Sequence, residues 1–285
     1  MISPTNPPSI PVRWHASESY YQIASIGETG MLEPKTREFI IVARDIGRLK
    51  TRINLIGAQV GTELGLINAV SATLTRKQLG QLRRDSNIRT IVRNETLYTA
   101  GKVLNEGTGS QPQQGRHRQT FFPRLIDADI LHEEGVTGQG IGVAVIYTGI
   151  WENQALNRNT NGDKRIVAYY DAIQNRTTLP LSDENGHGSH IASVVASSEP
   201  SIDEERNATG SYHGVAPDAN LVIVKAFDEQ GRGNYMNVIR GIGYVIAHKE
   251  EHNIRVLNLS FSGTPMSHYW QDPLNLAVMA AWRAG

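Results

Sequence analysis

The sequence predicts an α/β fold: a mostly parallel sheet with helices on both faces, preceded by a small α+β unit. Three largely apolar runs, 141–146, 221–227 and 255–261, indicate strands that are buried on both sides. Helical patterns alternate with these runs, and this alternation is typical of a parallel sheet.

Two stretches of unusual composition divide the chain. Residues 101–120 contain hardly an apolar side chain and predict a linker. Residues 1–35 are rich in proline and serine, so we expect them to be poorly ordered. The compact parts are therefore 36–100 and 121–285, consistent with about two domains in a chain of 285 residues.

The first compact part predicts the element order β-α-β-β-α-β of a ferredoxin-like unit. Its strand candidates are residues 37–44, 58–60, 67–74 and 88–92. Apolar residues within 45–55 suit one face of a helix. Thr75 and Gln78 form a capping-box pattern that opens the second helix.

Two helices are predicted in the second part. Residues 234–248 keep a helical apolar spacing with Asn234 as the cap, and Asp272 with Pro273 opens a helix that runs to residue 285. Such a helix is expected to cross over to one more parallel strand, which the sequence does not contain. The run 255–261 is therefore expected to present an unpaired apolar edge, and the sequence looks unfinished.

Composition excludes several classes of protein. The 28 basic and 28 acidic side chains give no net charge, which argues against nucleic-acid or membrane-surface binding through a strong field. The absence of cysteine excludes disulfides and thiolate chemistry. No apolar run is long enough to span a bilayer, and residues 1–20 do not resemble a secretory signal. The location of the protein stays open.

Glycine clusters at two places do not predict nucleotide binding. Gly138 and Gly140 precede their strand, whereas a pyrophosphate loop follows a strand and opens a helix. Gly231 and Gly233 follow a strand, but Met236 occupies the third glycine position. A glycine-rich connector is the simpler interpretation of both.

A sharper pattern surrounds His187. This histidine lies on a glycine-flanked turn and is followed by small residues that let a helix pack closely against a sheet. An isolated histidine of this kind is more often structural than catalytic. A metal site made of Asp183, His187 and His190 is a second alternative, because these positions share a helix face.

The segment GHGSHIAS at 186–193 resembles the histidine motif of the subtilisin-like serine proteases, usually written GHGTHVAG. Collinear similarity continues in GVTGQGIGVAVIYTGI, GVAPDANLVIVKAFDEQGRG and VLNLSFSG, at 135–150, 214–233 and 256–263. The first compact part also resembles the inhibitory prodomain of that family, so the similarity covers about residues 36–285. It implies an incomplete subtilisin-like fold and a serine endopeptidase ancestry.

By this resemblance His187 matches the general base, while Tyr147 stands where the family has aspartate. A phenol, with an ordinary pKa near 10, supplies no negative charge at neutral pH. If its hydroxyl donates to the inner imidazole nitrogen, the remaining proton lies on the outer nitrogen and the wrong tautomer is favoured.

The family's oxyanion asparagine motif, AAGN, and its nucleophile motif, GTSMA, do not occur in these 285 residues. We therefore expect this polypeptide alone not to hydrolyse peptides. Two other interpretations remain: the prodomain-like unit inhibits intact subtilases in trans, or the sequence is a degraded gene or a sequencing product.

The resemblance also implies a groove that pairs an extended peptide between two strands. Gly231, Arg232 and Gly233 match one edge; Ser260, Phe261 and Ser262 match the other. Ser262 replaces a usual glycine and is expected to crowd the substrate backbone. Asp183 matches a rim residue that would favour a basic substrate side chain, although a solvated loop carboxylate is an equal alternative.

The expected partners are an extended peptide or protein segment and the chain's own prodomain, with 94–100 as the tail inserted into the groove. No nucleic-acid or membrane partner is expected. No cofactor is expected for catalysis. A structural calcium ion is usual in the family, but its ligands cannot be assigned from this sequence.

Overall fold

A computed structural model of the protein describes residues 35–100, 122–177, 182–203, 205 and 207–285. The predicted linker, 101–120, and the predicted N-terminal segment, except Lys35, lie outside this part of the chain. The first described module has the predicted order β-α-β-β-α-β. Its elements are β1 (Thr36–Ala43), α1 (Ile46–Leu55), β2 (Val60–Leu64), β3 (Ala69–Thr75), α2 (Arg76–Leu82) and β4 (Ile88–Arg93).

The strands of this N-terminal module form an antiparallel sheet in the order β2-β3-β1-β4. The predicted capping box is present, since the Gln78 amide donates to Thr75 Oγ1 and the Thr75 amide donates to Gln78 Oε1. Asp45 caps α1 by accepting from the amide of Arg48.

The prediction for the second strand was wrong in position. Residues 58–60 were expected, but β2 covers Val60–Leu64 and is separated from β3 by a short 3₁₀ turn, Gly65–Ile67. The sequence VGTEL has few apolar residues and its side chains are mostly exposed or half-buried, so apolar content alone does not reveal this strand. Asn68, with φ of 52°, completes the turn.

Successive side chains of β1 separate the two faces of the module's sheet. Phe39, Ile41 and Ala43 pack with buried residues of α1 and α2. Ile40 and Val42 belong to a core that is shared with residues 144–277. The module is therefore joined to the rest of the described chain by buried apolar contacts.

The second part is an α/β structure, as predicted. Its main strands are β6 (Gly142–Tyr147), β7 (Ile166–Asp171), β10 (Asn220–Lys225) and β12 (Ile254–Asn258). They form a parallel sheet in the order β12-β6-β10-β7. A short β5 (Thr96–Thr99) follows the N-terminal module, and a hairpin of β8 (Pro200–Ile202) and β9 (Ala208–Tyr212) precedes β10. Two further short strands are β11 (Arg232–Asn234) and β13 (Phe261–Ser262).

Helices cover both faces of this parallel sheet. The helices of this part are α3 (Phe122–Leu125), α4 (Ala128–Glu133), α5 (Gln154–Asn157), α6 (His187–Ala196), α7 (Tyr235–Ala247) and α8 (Pro273–Ala284). Of these, α6 and α7 contact the sheet directly, whereas α3 and α4 contact each other and α4 packs on β9. Ala144 and Ile146 of β6 pack in the same core as α7, whereas Val143 and Val145 pack in the core that contains α6. Within the described ranges, no helix has the length and hydrophobicity to cross a membrane.

The run 255–261 is not one strand, contrary to the prediction. Strand β12 ends at Asn258, and the chain then leaves the parallel sheet to form β13 in another sheet. The cause is a distant partner, because β13 pairs with β5. As expected, β12 lies at the end of the sheet among the described strands, and Val256 is 50% exposed.

Candidate active site and peptide groove

His187 begins helix α6 at the carboxyl end of strand β6. Gly186 precedes it with φ of 89°, a conformation that favours glycine. Gly188 lies so close to the loop after β6 that a Cβ atom there would approach the Gly149 carbonyl oxygen to 2.2 Å. The Gly188 amide donates to Thr148 Oγ1 at 2.9 Å. These contacts fix the imidazole beside the end of β6.

The carboxylate of Asp183 holds the first turn of α6. It accepts from the Ser189 amide at 2.8 Å, from Ser189 Oγ at 2.6 Å and from the Gly186 amide at 2.9 Å. Burial opposes its ionisation, but hydrogen bonds from Ser189, Thr148 and Gly186 outweigh burial and lower the pKa of Asp183. Its observed contacts are with the helix; a contact with a basic substrate side chain stays a prediction.

Tyr147 is buried at the end of β6 and packs against the imidazole. The ring centroids of Tyr147 and His187 are 5.1 Å apart, with the planes tilted by 52°. The tyrosine hydroxyl donates to Asn258 Oδ1 at 2.7 Å. Burial raises the pKa of Tyr147, and hydrogen bonding with Ser260 opposes this only in part. The phenol is therefore neutral at physiological pH, and its O–H donates to the side-chain carbonyl oxygen of Asn258.

The two ring nitrogens of His187 have different surroundings. Nδ1 is buried and has no hydrogen-bond partner among the described residues. The backbone of Ala100 lies close enough to the ring to affect its pKa. Burial lowers the pKa of His187, the Ala100 backbone raises it, His190 lowers it and Asp183 raises it, with a net decrease. The neutral imidazole is favoured.

Strand β5 lies between β11 and β13 and is antiparallel to both. Arg232 and Gly233 pair with β5 on one side, and Phe261 and Ser262 pair with it on the other. The Thr99 amide donates to the Gly231 carbonyl at 3.0 Å, and the Ala100 amide donates to the Ser260 carbonyl at 2.9 Å. All six residues predicted to form the groove edges therefore flank this strand.

The side chains of β5 alternate between the groove and solvent. Leu97 and Thr99 are 1% and 5% exposed, whereas Tyr98 between them is 43% exposed. A Cβ atom at Gly231 would lie 2.6 Å from Thr99 Oγ1, and one at Gly263 would lie 2.3 Å from Leu97 Cδ2. Glycine therefore makes room for both inward side chains.

Ser262 does not crowd the strand in the way that the sequence suggested. Its side chain is exposed, and its backbone keeps the pairing with Tyr98. A serine is compatible with an extended chain at this position.

Two functional neighbours were missed by sequence reasoning. Asn258 accepts a hydrogen bond from the Tyr147 hydroxyl at its Oδ1, and its polar side chain between Leu257 and Leu259 was the available signal. Asn94 precedes β5 and accepts at its Oδ1 from the Met236 amide at the start of α7. No pattern in the sequence pointed to this contact.

Among the described residues, no group of three or more histidine, aspartate and glutamate side chains is arranged to hold a metal ion. The alternative metal site of Asp183, His187 and His190 is therefore not formed. A structural calcium ion stays a prediction without assigned ligands.

The chain belongs to the subtilase family, whose model matches residues 138–284. The serine protease AprX of Bacillus subtilis is 33% identical over 225 residues, which cover 77% of this chain and 44% of AprX. Subtilisin E of Bacillus subtilis is 28% identical over 236 residues, which cover 83% of this chain and 53% of that protein. The chain thus spans about half the length of the curated relatives that it matches.

Solved structures agree with this assignment at the level of the fold. Fervidolysin from Fervidobacterium pennivorans, a keratinolytic enzyme related to subtilisin, matches with a TM-score of 0.61 at 20% identity. The match covers 91% of this chain and 40% of fervidolysin. The epidermin leader peptide processing serine protease of Staphylococcus aureus matches with a TM-score of 0.53 at 11% identity, covering 87% of this chain and 57% of that one.

Proposed function

We propose that the chain is part of the precursor of a subtilisin-like serine endopeptidase, with residues 36–100 as its prodomain. The observation that carries this proposal is β5, which extends from the module into the groove and reaches His187. A strand bound by main-chain pairing on both sides, with alternate side chains buried, is in the position of a peptide substrate.

In such a precursor His187 is the general base. Its ring lies beside the backbone of Ala100, which follows β5. We infer that the peptide bond after Ala100 is the bond presented to this imidazole. A neutral imidazole can accept a proton from a nucleophile and return it to the leaving amine.

We further propose that this polypeptide alone does not cleave peptides. A general base needs a partner that stabilises the imidazolium, and Tyr147 offers a neutral phenol whose proton is directed to Asn258. The buried Nδ1 of His187 has no acceptor among the described residues. Protonation of the ring is therefore unfavourable at the step where a charged imidazole is required.

The N-terminal module acts as an inhibitor of the groove in this proposal. Support comes from the apolar core that Ile40, Val42 and Leu97 share with α7 and α8. Electrostatics also favour the association: residues 35–100 contain 12 basic and 5 acidic side chains, whereas residues 122–285 contain 12 basic and 19 acidic ones. Opposite net charges attract at distances within about 8 Å at physiological ionic strength.

The activity proposal is tested on the purified full chain with a fluorogenic peptide and with a fluorophosphonate, which labels an activated serine. We expect neither turnover nor labelling, with subtilisin E as the positive control. The His187→Ala variant is the matched control, because any activity that survives this change comes from a contaminant. Turnover or stoichiometric labelling that depends on His187 would overturn the proposal of an inactive chain.

Occupancy of the groove is tested separately by amide hydrogen exchange of the full chain. We expect the amides of Thr99 and Ala100 to exchange as slowly as those of buried β6, because both donate to groove carbonyls. Exchange at the rate of an unstructured peptide would show that β5 does not fill the groove. That result would contradict the assignment of residues 36–100 as a prodomain.

A further inference from the structure

Between strand β13 and helix α8 lies a loop of residues 264–271, here called the aromatic loop. Tyr269 and Trp270 are 73% and 54% exposed, and Met266 is 37% exposed. The rings are ordered against one another: His268 stacks on Trp270 with centroids 4.6 Å apart, and Tyr269 meets Trp270 edge-on at 5.0 Å. Large exposed apolar side chains held in a fixed arrangement mark a contact surface.

The aromatic loop begins beside β5, and its end is linked to the residue before β5 through Tyr235. Just before the loop, Gly263 lies so close to β5 that a Cβ atom there would be 2.3 Å from Leu97 Cδ2 and 4.0 Å from the Thr96 carbonyl oxygen. At its end, Asp272 accepts a hydrogen bond from the Tyr235 hydroxyl at 3.0 Å, and the Tyr235 amide donates to the Glu95 carbonyl. The loop is therefore continuous with the groove on its upstream side.

The module's own tail does not use this surface. Before β5, the Asn94 amide donates to the Glu38 carbonyl, and Asn94 Oδ1 accepts from the Met236 amide. These bonds direct the chain back into the module, and Tyr269 and Trp270 stay exposed while the groove is filled. A peptide that does not make this turn would leave the amino-terminal end of β5 on the side where the aromatic loop begins, at Gly263.

We propose that the aromatic loop is a second binding site for peptides in the groove and that it takes apolar or aromatic side chains one to three residues upstream of the segment equivalent to β5. The chemistry follows from the loop, because residues 264–271 contain no acidic side chain, lysine or arginine, and offer exposed rings. This inference rests on the proposed peptide groove. It adds a preference for certain side chains upstream of the segment that is bound there.

The test uses the full chain with its own tail weakened. Leu97→Asp places a charge in the buried pocket, and Tyr98→Pro removes a β5 backbone donor without changing a buried side chain; circular dichroism checks that each variant is folded. Three fluorescent peptides are titrated by anisotropy: TLYTA, which copies residues 96–100, and the extended peptides FFTLYTA and GGTLYTA. Leu97→Asp and Tyr98→Pro are both used to open the groove, so that the experiment can still be interpreted if one of them does not fold.

We expect FFTLYTA to bind about tenfold more tightly than GGTLYTA, as burial of aromatic surface predicts. In a background with Tyr269→Ala and Trp270→Ala, this difference should vanish while the affinity for TLYTA stays unchanged. Trp282→Ala is the matched control, since Trp282 is 82% exposed on α8, outside the loop, and should keep the difference.

The outcomes separate the two ideas. Equal affinity for FFTLYTA and GGTLYTA, with TLYTA still bound, would overturn the role of the aromatic loop and leave the groove intact. A tenfold difference that survives removal of both rings would also overturn it. If TLYTA itself binds to neither opened variant, the peptide groove fails, and the loop's role fails with it.

Discussion

The rings of Tyr147 and His187 are in contact, with centroids 5.1 Å apart, yet the tyrosine hydroxyl donates to Asn258 and leaves the imidazole Nδ1 without a partner among the described residues. The sequence alone allowed a direct hydrogen bond from the phenol to that nitrogen. The observed arrangement has a different defect: on its Nδ1 side the imidazole has neither a hydrogen-bond acceptor nor a carboxylate among the described residues. His187 is therefore held by packing on this side of its ring.

Replacing Tyr147 by aspartate should raise the pKa of His187. A carboxylate near Nδ1 stabilises the imidazolium and opposes the decrease that burial causes. An NMR titration of the His187 ring measures this pKa. Tyr147→Phe is the control, because it removes the bond to Asn258 without adding charge, and it should leave the His187 titration near that of the parent chain. An unchanged or lower pKa in the aspartate variant would contradict the assigned geometry.

The stability of the chain should fall as pH decreases through the range in which His187 titrates. Its pKa in the folded state is below the ordinary value near 6.5, so the unfolded state takes up the proton first. Unfolding therefore becomes easier from about pH 7 down to the folded-state pKa. Urea unfolding at several pH values measures this, and His187→Asn should reduce the slope in that interval. Equal slopes in the two proteins would refute the prediction.

Leu97→Ala should destabilise the bound tail strongly, because it removes a side chain that is 1% exposed and packed in the shared core. Loss of a buried leucine costs about 2–5 kcal/mol. The measurements are urea unfolding and the exchange rates of the Thr99 and Ala100 amides, which should increase. Tyr98→Ala is the neighbouring control: Tyr98 points outward, and its loss should cost about 0.5 kcal/mol or less. Equal effects of the two changes would contradict the alternation of side chains in β5.

Asp183→Asn should weaken the start of α6 by about 1 kcal/mol, since the carboxylate accepts from two backbone amides and one hydroxyl there. The pKa of Asp183 is lowered in the folded state, so its contribution is present above the ordinary pKa and is lost as pH falls through the folded-state value. Unfolding measured near neutral and acidic pH should show the two proteins converging in acid. Glu134→Gln, at an exposed carboxylate, serves as control, and a constant difference at all pH values would argue against the capping role.

Much of the fold could be predicted because local patterns were strong. The capping box at Thr75 and the caps at Asn234 and Asp272 are contained within a few residues, and all three are observed. Strand β2 could not be predicted, since its short sequence has no clear apolar pattern. The break between β12 and β13 was equally hidden, because it depends on pairing with β5 more than 150 residues earlier in the chain.

The candidate site was predictable where a motif specified it. The position of His187 and the two groove edges followed from short sequence patterns that the parallel sheet brings together. The direction of the Tyr147 hydroxyl did not, because Asn258 lies 111 residues away and its approach depends on the pairing of β12 with β6. Side-chain hydrogen bonds between distant strands require a structure.

Because β5 belongs to the same polypeptide as β11 and β13, the ligand in this groove cannot be diluted away. A tethered segment acts at a fixed local concentration, about millimolar for a short flexible connection. A free peptide of modest affinity therefore does not displace β5 from the groove, even when the protein is dilute. Under the proposed function, a cut after β5 would free the tail from this local concentration, so covalent connectivity would keep the groove closed more effectively than abundance.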